Sequence, residues 1–229
     1  TILAVTSNLD LKTCKIKFMN IRDLTNNEEI INFLNQNSYE YVKVGITDID
    51  GVLRGKYMNV QKFIKSLDEG FGFCDVIFGW DSSDDLYGFT SIENKDVFTG
   101  WKTGYPDTKV QIIPTSGRLI PFEKETPFFL CELKESDICP RGTLNRILTK
   151  YKDKGLTAKT SFEYEFFLFK ESPASIREKK FNNLITFTPG MFGYSVLRNS
   201  VESDLYQKIL SMCSIMDMRL EGLHTETGP

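Results

Sequence analysis

The sequence predicts an α+β fold in two parts, on three observations. Residues 41 to 57 read Tyr-Val-Lys-Val-Gly-Ile-Thr, then a turn at Asp50-Gly51, then Val52 to Tyr57, the layout of a β-hairpin. Between residues 71 and 130, short apolar runs alternate with turn residues, which predicts a compact domain with a mostly antiparallel sheet. Beyond a polar stretch at Glu135-Ser136-Asp137, the pattern becomes helix, strand, helix, strand at longer spacing. That second half predicts the opening of a larger α/β or barrel-like domain.

The elements follow in order. A short helix is expected over 26 to 36, because Thr25 and Glu28 have capping-box spacing and Ile30, Ile31 and Leu34 come next. After the hairpin, Asn59 caps a helix whose Val60, Phe63, Ile64 and Leu67 recur at i, i+3, i+4, i+7, and Gly70 ends it. Strands are predicted at Phe73 to Phe78, Lys109 to Ile113, Arg118 to Pro121 and Phe128 to Cys131. In the second half, Leu144, Ile147, Leu148 and Tyr151 share one face of a helix that ends at Gly155. A strand at 162 to 169, a charged loop around Arg177 to Lys180, a helix at about 200 to 216 and a strand from Met218 to Glu226 complete the chain. Val201, Leu205, Ile209, Met212 and Met216 have core-type spacing, and the methionines read as packing.

Composition excludes several classes. The chain has 229 residues, 41% of them hydrophobic, with 18 Phe, so it carries enough apolar material for a folded core. Its net charge is only −3 and it has no basic stripe, so no nucleic-acid partner is expected. No run is long and apolar enough to predict a membrane span. Cys14, Cys74, Cys131, Cys139 and Cys213 are scattered, without a Cys-x-x-Cys pair, which suits reduced thiols in a cytoplasmic protein. No cationic segment followed by an apolar run opens the chain, so no signal peptide is expected, and without an initiating Met the true N-terminus is expected to lie upstream.

The chemistry is concentrated in Phe162-Glu-Tyr-Glu-Phe-Phe-Leu-Phe. In a strand, Glu163 and Glu165 share one face while Phe162, Tyr164 and Phe166 share the other. Two adjacent carboxylates in an apolar setting share a proton, pair with a cationic side chain, or hold a cation, and their oxygens suit magnesium or manganese. The bland alternative is a strand whose glutamates face solvent. The last segment is Glu221-Gly-Leu-His-Thr-Glu-Thr-Gly-Pro, in which an extended backbone puts His224 and Glu226 on one face. For His224, the one histidine of the sequence, a surface role is the alternative.

Together these two segments resemble the glutamine synthetase family. Phe73-Cys-Asp-Val-Ile-Phe-Gly-Trp-Asp-Ser-Ser-Asp84, Thr99-Gly-Trp-Lys-Thr-Gly-Tyr-Pro-Asp107, Asp50-Gly-Val-Leu-Arg-Gly-Lys56 and Pro121-Phe-Glu-Lys-Glu-Thr-Pro-Phe-Phe are similar to that family's N-terminal domain. The resemblance runs in order over roughly residues 40 to 229, and the first forty residues carry no motif. It implies an N-terminal extension at 1–37, a small β-grasp-like domain at 38–130, and at 137–229 the start of a catalytic domain whose antiparallel strands curve into part of a barrel. It implies that Glu163 binds the nucleotide-side metal, that Glu165 and Glu226 bind the glutamate-side metal, and that Glu221 lies near nucleotide and metals. Asp81 matches, loosely, a loop aspartate that binds and deprotonates ammonium for a neighbouring subunit.

The implied activity is ATP-dependent amidation of the glutamate γ-carboxylate by ammonia or a small amine, with Mg2+ or Mn2+, within nitrogen metabolism and glutamine biosynthesis. ATP phosphorylates the carboxylate, and the amine then expels phosphate. A ring-forming homo-oligomer is implied, because the family's sites lie between subunits. The sequence stops at Pro229, before the Gly-Gln-x-Glu that would supply a third ligand, and before the family's later His, Glu and Arg residues. The chain is therefore expected to be a fragment that does not turn over alone. Two alternatives stand beside this. Asp48-Ile-Asp50-Gly-Val-Leu resembles the nucleophile motif of haloacid dehalogenase-type phosphatases, with Asp48 as nucleophile and Asp50 as general acid; a plain hairpin turn is the preferred reading there. The other is a non-enzymatic structural protein that kept the fold.

Overall fold

The computed structural model describes residues 20–87, 99–100, 103–133, 136 and 138–228. Cys14, and Glu135 and Asp137 of the expected linker, lie outside the described residues. The hairpin forms as predicted. Strand β1 (Tyr41–Thr47) pairs antiparallel with β2 (Leu53–Asn59), in a register that runs from Tyr41 opposite Asn59 to Thr47 opposite Leu53. Helix α1 (Asn27–Gln36) precedes it and α2 (Val60–Glu69) follows. The cap of α1 sits one residue later than the spacing suggests. The Asn26 side chain accepts from Glu29 N at 3.0 Å, and the Glu29 carboxylate accepts from Thr25 N at 2.8 Å. Asn59 caps α2 as expected, accepting from Gln61 N at 2.9 Å, and Gly70, at φ +70°, closes the helix.

Strands β3 (Phe71–Cys74), β4 (Asp107–Ile112), β5 (Arg118–Ile120) and β6 (Thr126–Leu133) complete a six-stranded sheet. Its order is β2-β1-β6-β4-β3, with β5 also on β6. Among the described residues only the central β1–β6 pair is parallel. The strand predicted over Phe73 to Phe78 stops at Cys74 and becomes a 3-10 turn over Asp75–Phe78. The reason is burial. Asp75, Val76, Ile77 and Phe78 are all buried, which a strand with alternating faces could not achieve against one core. The buried Asp75 carboxylate accepts from Thr99 Oγ1 at 2.5 Å, and Asp75 N donates to Pro106 O at 3.0 Å.

One face of the sheet meets both helices. Val42, Val44 and Ile46 of β1 and Phe129, Cys131 and Leu133 of β6 alternate into this core, against Ile30, Phe33, Leu34 and Phe63. The rings of Phe63 and Phe129 are 5.0 Å apart and neither is exposed. Each such side chain contributes about 1.5–3 kcal/mol by leaving water.

Past Cys139 the character changes. Helices α3 (Pro140–Asp153), α4 (Pro173–Glu178), α5 (Val196–Val201) and α6 (Ser203–Ile215) form, but no described residue from 140 to 228 is buried. The helix expected at about 200 to 216 is broken at Glu202, and part of the expected charged loop around Arg177 is α4. Leu144, Ile147, Leu148 and Tyr151 share a helix as predicted, yet all are exposed. Leu205, Ile209, Met212 and Met216 are half-buried, and Val201 is exposed.

The strands predicted at 162 to 169 and at 218 to 226 do not form; only an isolated Phe169–Thr186 bridge occurs. A strand needs a partner to take its backbone hydrogen bonds. Among the described residues the backbone partner reaches only Leu168, whose carbonyl accepts from Phe187 N at 2.9 Å, while Phe162 and Tyr164 are 81% and 82% exposed. The two halves of the chain touch where Arg118 Nε donates to Met216 O at 2.7 Å and its guanidinium stands 3.6 Å from Asp217.

Candidate functional site

The two acidic segments singled out in the sequence approach one another where Gly228 lies against the Phe167 ring, and Tyr194 packs on the second of them. This tyrosine lies just before α5, with φ +58°, in a segment zipped to the C-terminal one. Tyr194 N donates to Thr225 O at 2.9 Å, and Thr225 Oγ1 donates to Phe192 O at 3.0 Å. Gly193 lies flat against Glu226, and Gly228 against the Phe167 ring, where an added Cβ would lie 2.4 Å from a ring carbon. The Tyr194 hydroxyl donates to Glu226 Oε1 at 2.5 Å, and its ring stacks on His224 with centroids 4.6 Å apart. His224 Nδ1 is 3.6 Å from the same Glu226 oxygen. The bond to Glu226, and then its charge, raise the Tyr194 hydroxyl's pKa, and the charge of Glu163 adds to this. Glu226 and His224 thus both contact one phenol. Glu163, Glu165 and Glu221 are exposed, as are Tyr194, His224 and Glu226.

Asp81 stands elsewhere, on the loop after the 3-10 turn. Its Oδ1 accepts from Ser83 N at 2.8 Å and Asp85 N at 3.0 Å, and Asp81 N donates to Asp85 O at 3.0 Å. The loop closes as a small hairpin, with a Trp80–Leu86 bridge and Tyr87 N donating to Gly79 O at 2.8 Å.

Asp48 is fully buried in the β1–β2 turn. Its Oδ1 accepts from Asp50 N at 3.0 Å and Val52 N at 2.8 Å, and its Oδ2 accepts from Arg54 Nε at 2.8 Å. A nucleophilic carboxylate needs a free, reachable oxygen. Both oxygens here are engaged and neither is exposed, so the phosphatase reading of Asp48 and Asp50 is replaced by the hairpin turn.

A family model described as "Glutamine synthetase, catalytic domain" matches residues 137–229. Type-1 glutamine synthetase 2 of Dictyostelium discoideum is 39% identical over 218 residues, which cover 93% of this chain and 40% of that protein. The chain belongs to the glutamine synthetase family. Glutamate–isopropylamine ligase of Pseudomonas sp is 28% identical over 209 residues, covering 88% of this chain and 44% of that one. The chain thus spans less than half the length of these relatives. Among solved structures, the GmaS/ADP complex superposes with a TM-score of 0.53 at 15% identity, over 80% of this chain and 38% of that one. A crystal structure of a novel glutamine synthase homolog gives 0.52 at 14%, over 82% and 41%. At such identities the likeness is one of fold.

For a glutamine synthetase family member the resemblance implies a divalent cation. Glu163, Glu165 and Glu226 have the hard oxygen donors such an ion takes. Among the described residues, however, no group of three or more His, Cys, Asp or Glu side chains is gathered closely enough to hold one. Glu226 is instead turned to Tyr194 and His224. As arranged, the carboxylates do not fit the ion. Sequence reasoning missed Tyr194. A lone tyrosine in Phe192-Gly-Tyr194-Ser has no periodicity to mark it, and its partner is 32 positions away.

Proposed function

We propose that the protein is a glutamine synthetase-type ligase that joins ammonia or a small amine to the γ-carboxylate of glutamate at the expense of ATP, with a divalent cation. The observation that carries the reading is the gathering of Glu226 and His224 around Tyr194, in a chain whose relatives include both a glutamine synthetase and an amine ligase. A free carboxylate offers no leaving group, so the γ-carboxylate is activated by phosphorylation and the amine then expels phosphate. A carboxylate fixed against a phenol makes an anionic spot that draws a protonated amine and orients it. Glu226 accepts from the Tyr194 hydroxyl and so keeps it protonated and fixed. Asp81, in this proposal, serves the amine site of a neighbouring subunit in a ring-shaped homo-oligomer.

The test is phosphate release by the full-length protein, dependent on ATP, glutamate and amine, with ammonia compared against alkylamines. Glu226→Gln and Tyr194→Phe are expected to lower turnover by roughly tenfold to a thousandfold. A wild-type protein that releases no phosphate with any amine would support the structural-protein alternative instead.

A further inference from the structure

The loop that carries Asp81 is not held by its own hydrogen bonds alone. Five carboxylates surround the β1–β2 turn and this loop: Asp48, Asp50, Asp81, Asp84 and Asp85. Within this group Arg54, from β2, ties turn to loop. Its Nε donates to the buried Asp48 carboxylate at 2.8 Å, its Nη1 to Asp84, and its Nη2 to the backbone carbonyl of Asp81 at 3.1 Å. Its guanidinium also lies over the Trp80 ring, 5.4 Å from the centroid. Every edge of the planar fork is thus engaged, and the side chain is only 15% exposed. Asp84 sits at φ +66°, a conformation a non-glycine residue keeps only when its surroundings hold it. The far end of the loop is fastened to the same turn, where Tyr87 Oη donates to Asp50 Oδ2 at 3.0 Å.

We infer that Arg54 is a positioning residue: braced by Asp48, it sets where the Asp81 loop stands and therefore where Asp81 meets the amine. This rests on the proposed function, which assigns Asp81 to the amine site. Arg54 touches no substrate in this scheme. It grips the Asp81 carbonyl, while the Asp81 carboxylate is oriented by Ser83 N and Asp85 N. Asp48 serves as the anchor, since a buried carboxylate with all its bonds made cannot swing away. The relevant property is therefore binding of the amine, with no direct bearing on glutamate or ATP.

Two measurements on the full-length protein test this. The first is amide hydrogen exchange. In Arg54→Gln, the amides of Ser83, Asp85 and Tyr87 are expected to exchange at least tenfold faster, while those of β1 and β6 keep their protection. Unchanged exchange in the loop overturns the proposal whatever the kinetics show. The second is steady-state kinetics. Arg54→Gln is expected to raise KM for the amine by roughly tenfold to a hundredfold while KM for glutamate and for ATP stays put, because misplacement of one contact group is felt by the ligand it contacts. Arg54→Lys keeps the charge but not the fork and should recover part of the effect. If all three KM values rise together, Arg54 is merely structural and the proposal fails. Should Arg54→Gln not fold, Asp84→Asn removes only the exposed partner and is expected to give the same selective shift, smaller in size; no selective shift there overturns the proposal. A wild-type protein without amine-dependent turnover overturns the proposed function and Asp81's part in it, and the exchange arm then still decides whether Arg54 holds the loop.

Discussion

Glu171 shows how one side chain organises a segment that has no core. Its side chain alone is 2% exposed, though the residue as a whole is half-buried, and it accepts from Lys179 Nζ, from Ser175 Oγ at 2.5 Å and from Ile185 N at 2.7 Å, so it staples α4 to the strand-like bridge at Phe169–Thr186. Lys179 first, then Ser175 and the Ile185 amide, hold its carboxyl down at about 2. A carboxyl depressed in the folded state stabilises above its unfolded value, and the contribution fades as pH falls through the folded one. The contribution is therefore full above about pH 5 and fades toward pH 2. The check is the protection of the Lys170 amide, which donates to Ile185 O at 2.8 Å, in wild type against Glu171→Gln. The ratio is expected to be large at pH 6 and to approach one near pH 2; a ratio independent of pH would refute the staple. At this scale the candidate site was partly legible. The carboxylates of 162–169 and 221–226 announce themselves by type and clustering, whereas Tyr194 and Arg54 acquire meaning only from partners far along the chain.

Among the elements, the β1–β2 hairpin is the most constrained. Gly55 stands opposite Gly45, and a Cβ there would lie 2.1 Å from Val44 O, inside the neighbouring backbone. Gly51, at φ +85° in the turn, has open space around it. Gly55→Ala must push the strands apart and is expected to cost about 1–3 kcal/mol. Gly51→Ala meets only backbone strain, about 1 kcal/mol. Denaturant midpoints of the two variants check the order, and a Gly55→Ala variant as stable as wild type would mean the register is different. The hairpin, α2 and the strands of the sheet were legible because their signals are local: a turn dipeptide, a cap, a period. The failures share a cause. Residues 162–169 have strong β propensity, yet a strand is a relation between two segments, and propensity names only one of them. Asp75 turns where Phe73–Phe78 seemed to run on, because Thr99 and Pro106, more than twenty positions later, receive it.

Across the whole molecule, burial is divided unevenly. The core lies between residues 21 and 139, and nothing described from 140 to 228 is buried. Segments that open without exposing a core do so at little cost in free energy. Limited trypsin digestion is expected to cut first between Lys150 and Lys180, leaving the sheet region from 41 to 78 intact at short times. Mass spectrometry of the early fragments reads this directly, and early cleavage at Lys43 or Lys56 would contradict it. Arg118, bonded to Met216 O and near Asp217, and Arg22, 3.9 Å from the same Asp217, are ties through which the second half retains its place after such a cut.

The parallel seam at the middle of the sheet also bears on how the chain reaches this shape. Lys43 pairs with Phe128 there, so the central ladder cannot close until nearly the whole first half exists. Loop closure over such a span is costly in entropy and slow compared with forming the local hairpin. During synthesis, β1, β2 and α2 leave the ribosome well ahead of β6. Through that interval the inner edge of β1 is an open row of amides and carbonyls beside Val42, Val44 and Ile46, the kind of surface that captures other strands. The segment that ends this exposure is Thr126–Leu133, and a ribosome paused just short of it would hold the nascent chain in its most vulnerable form.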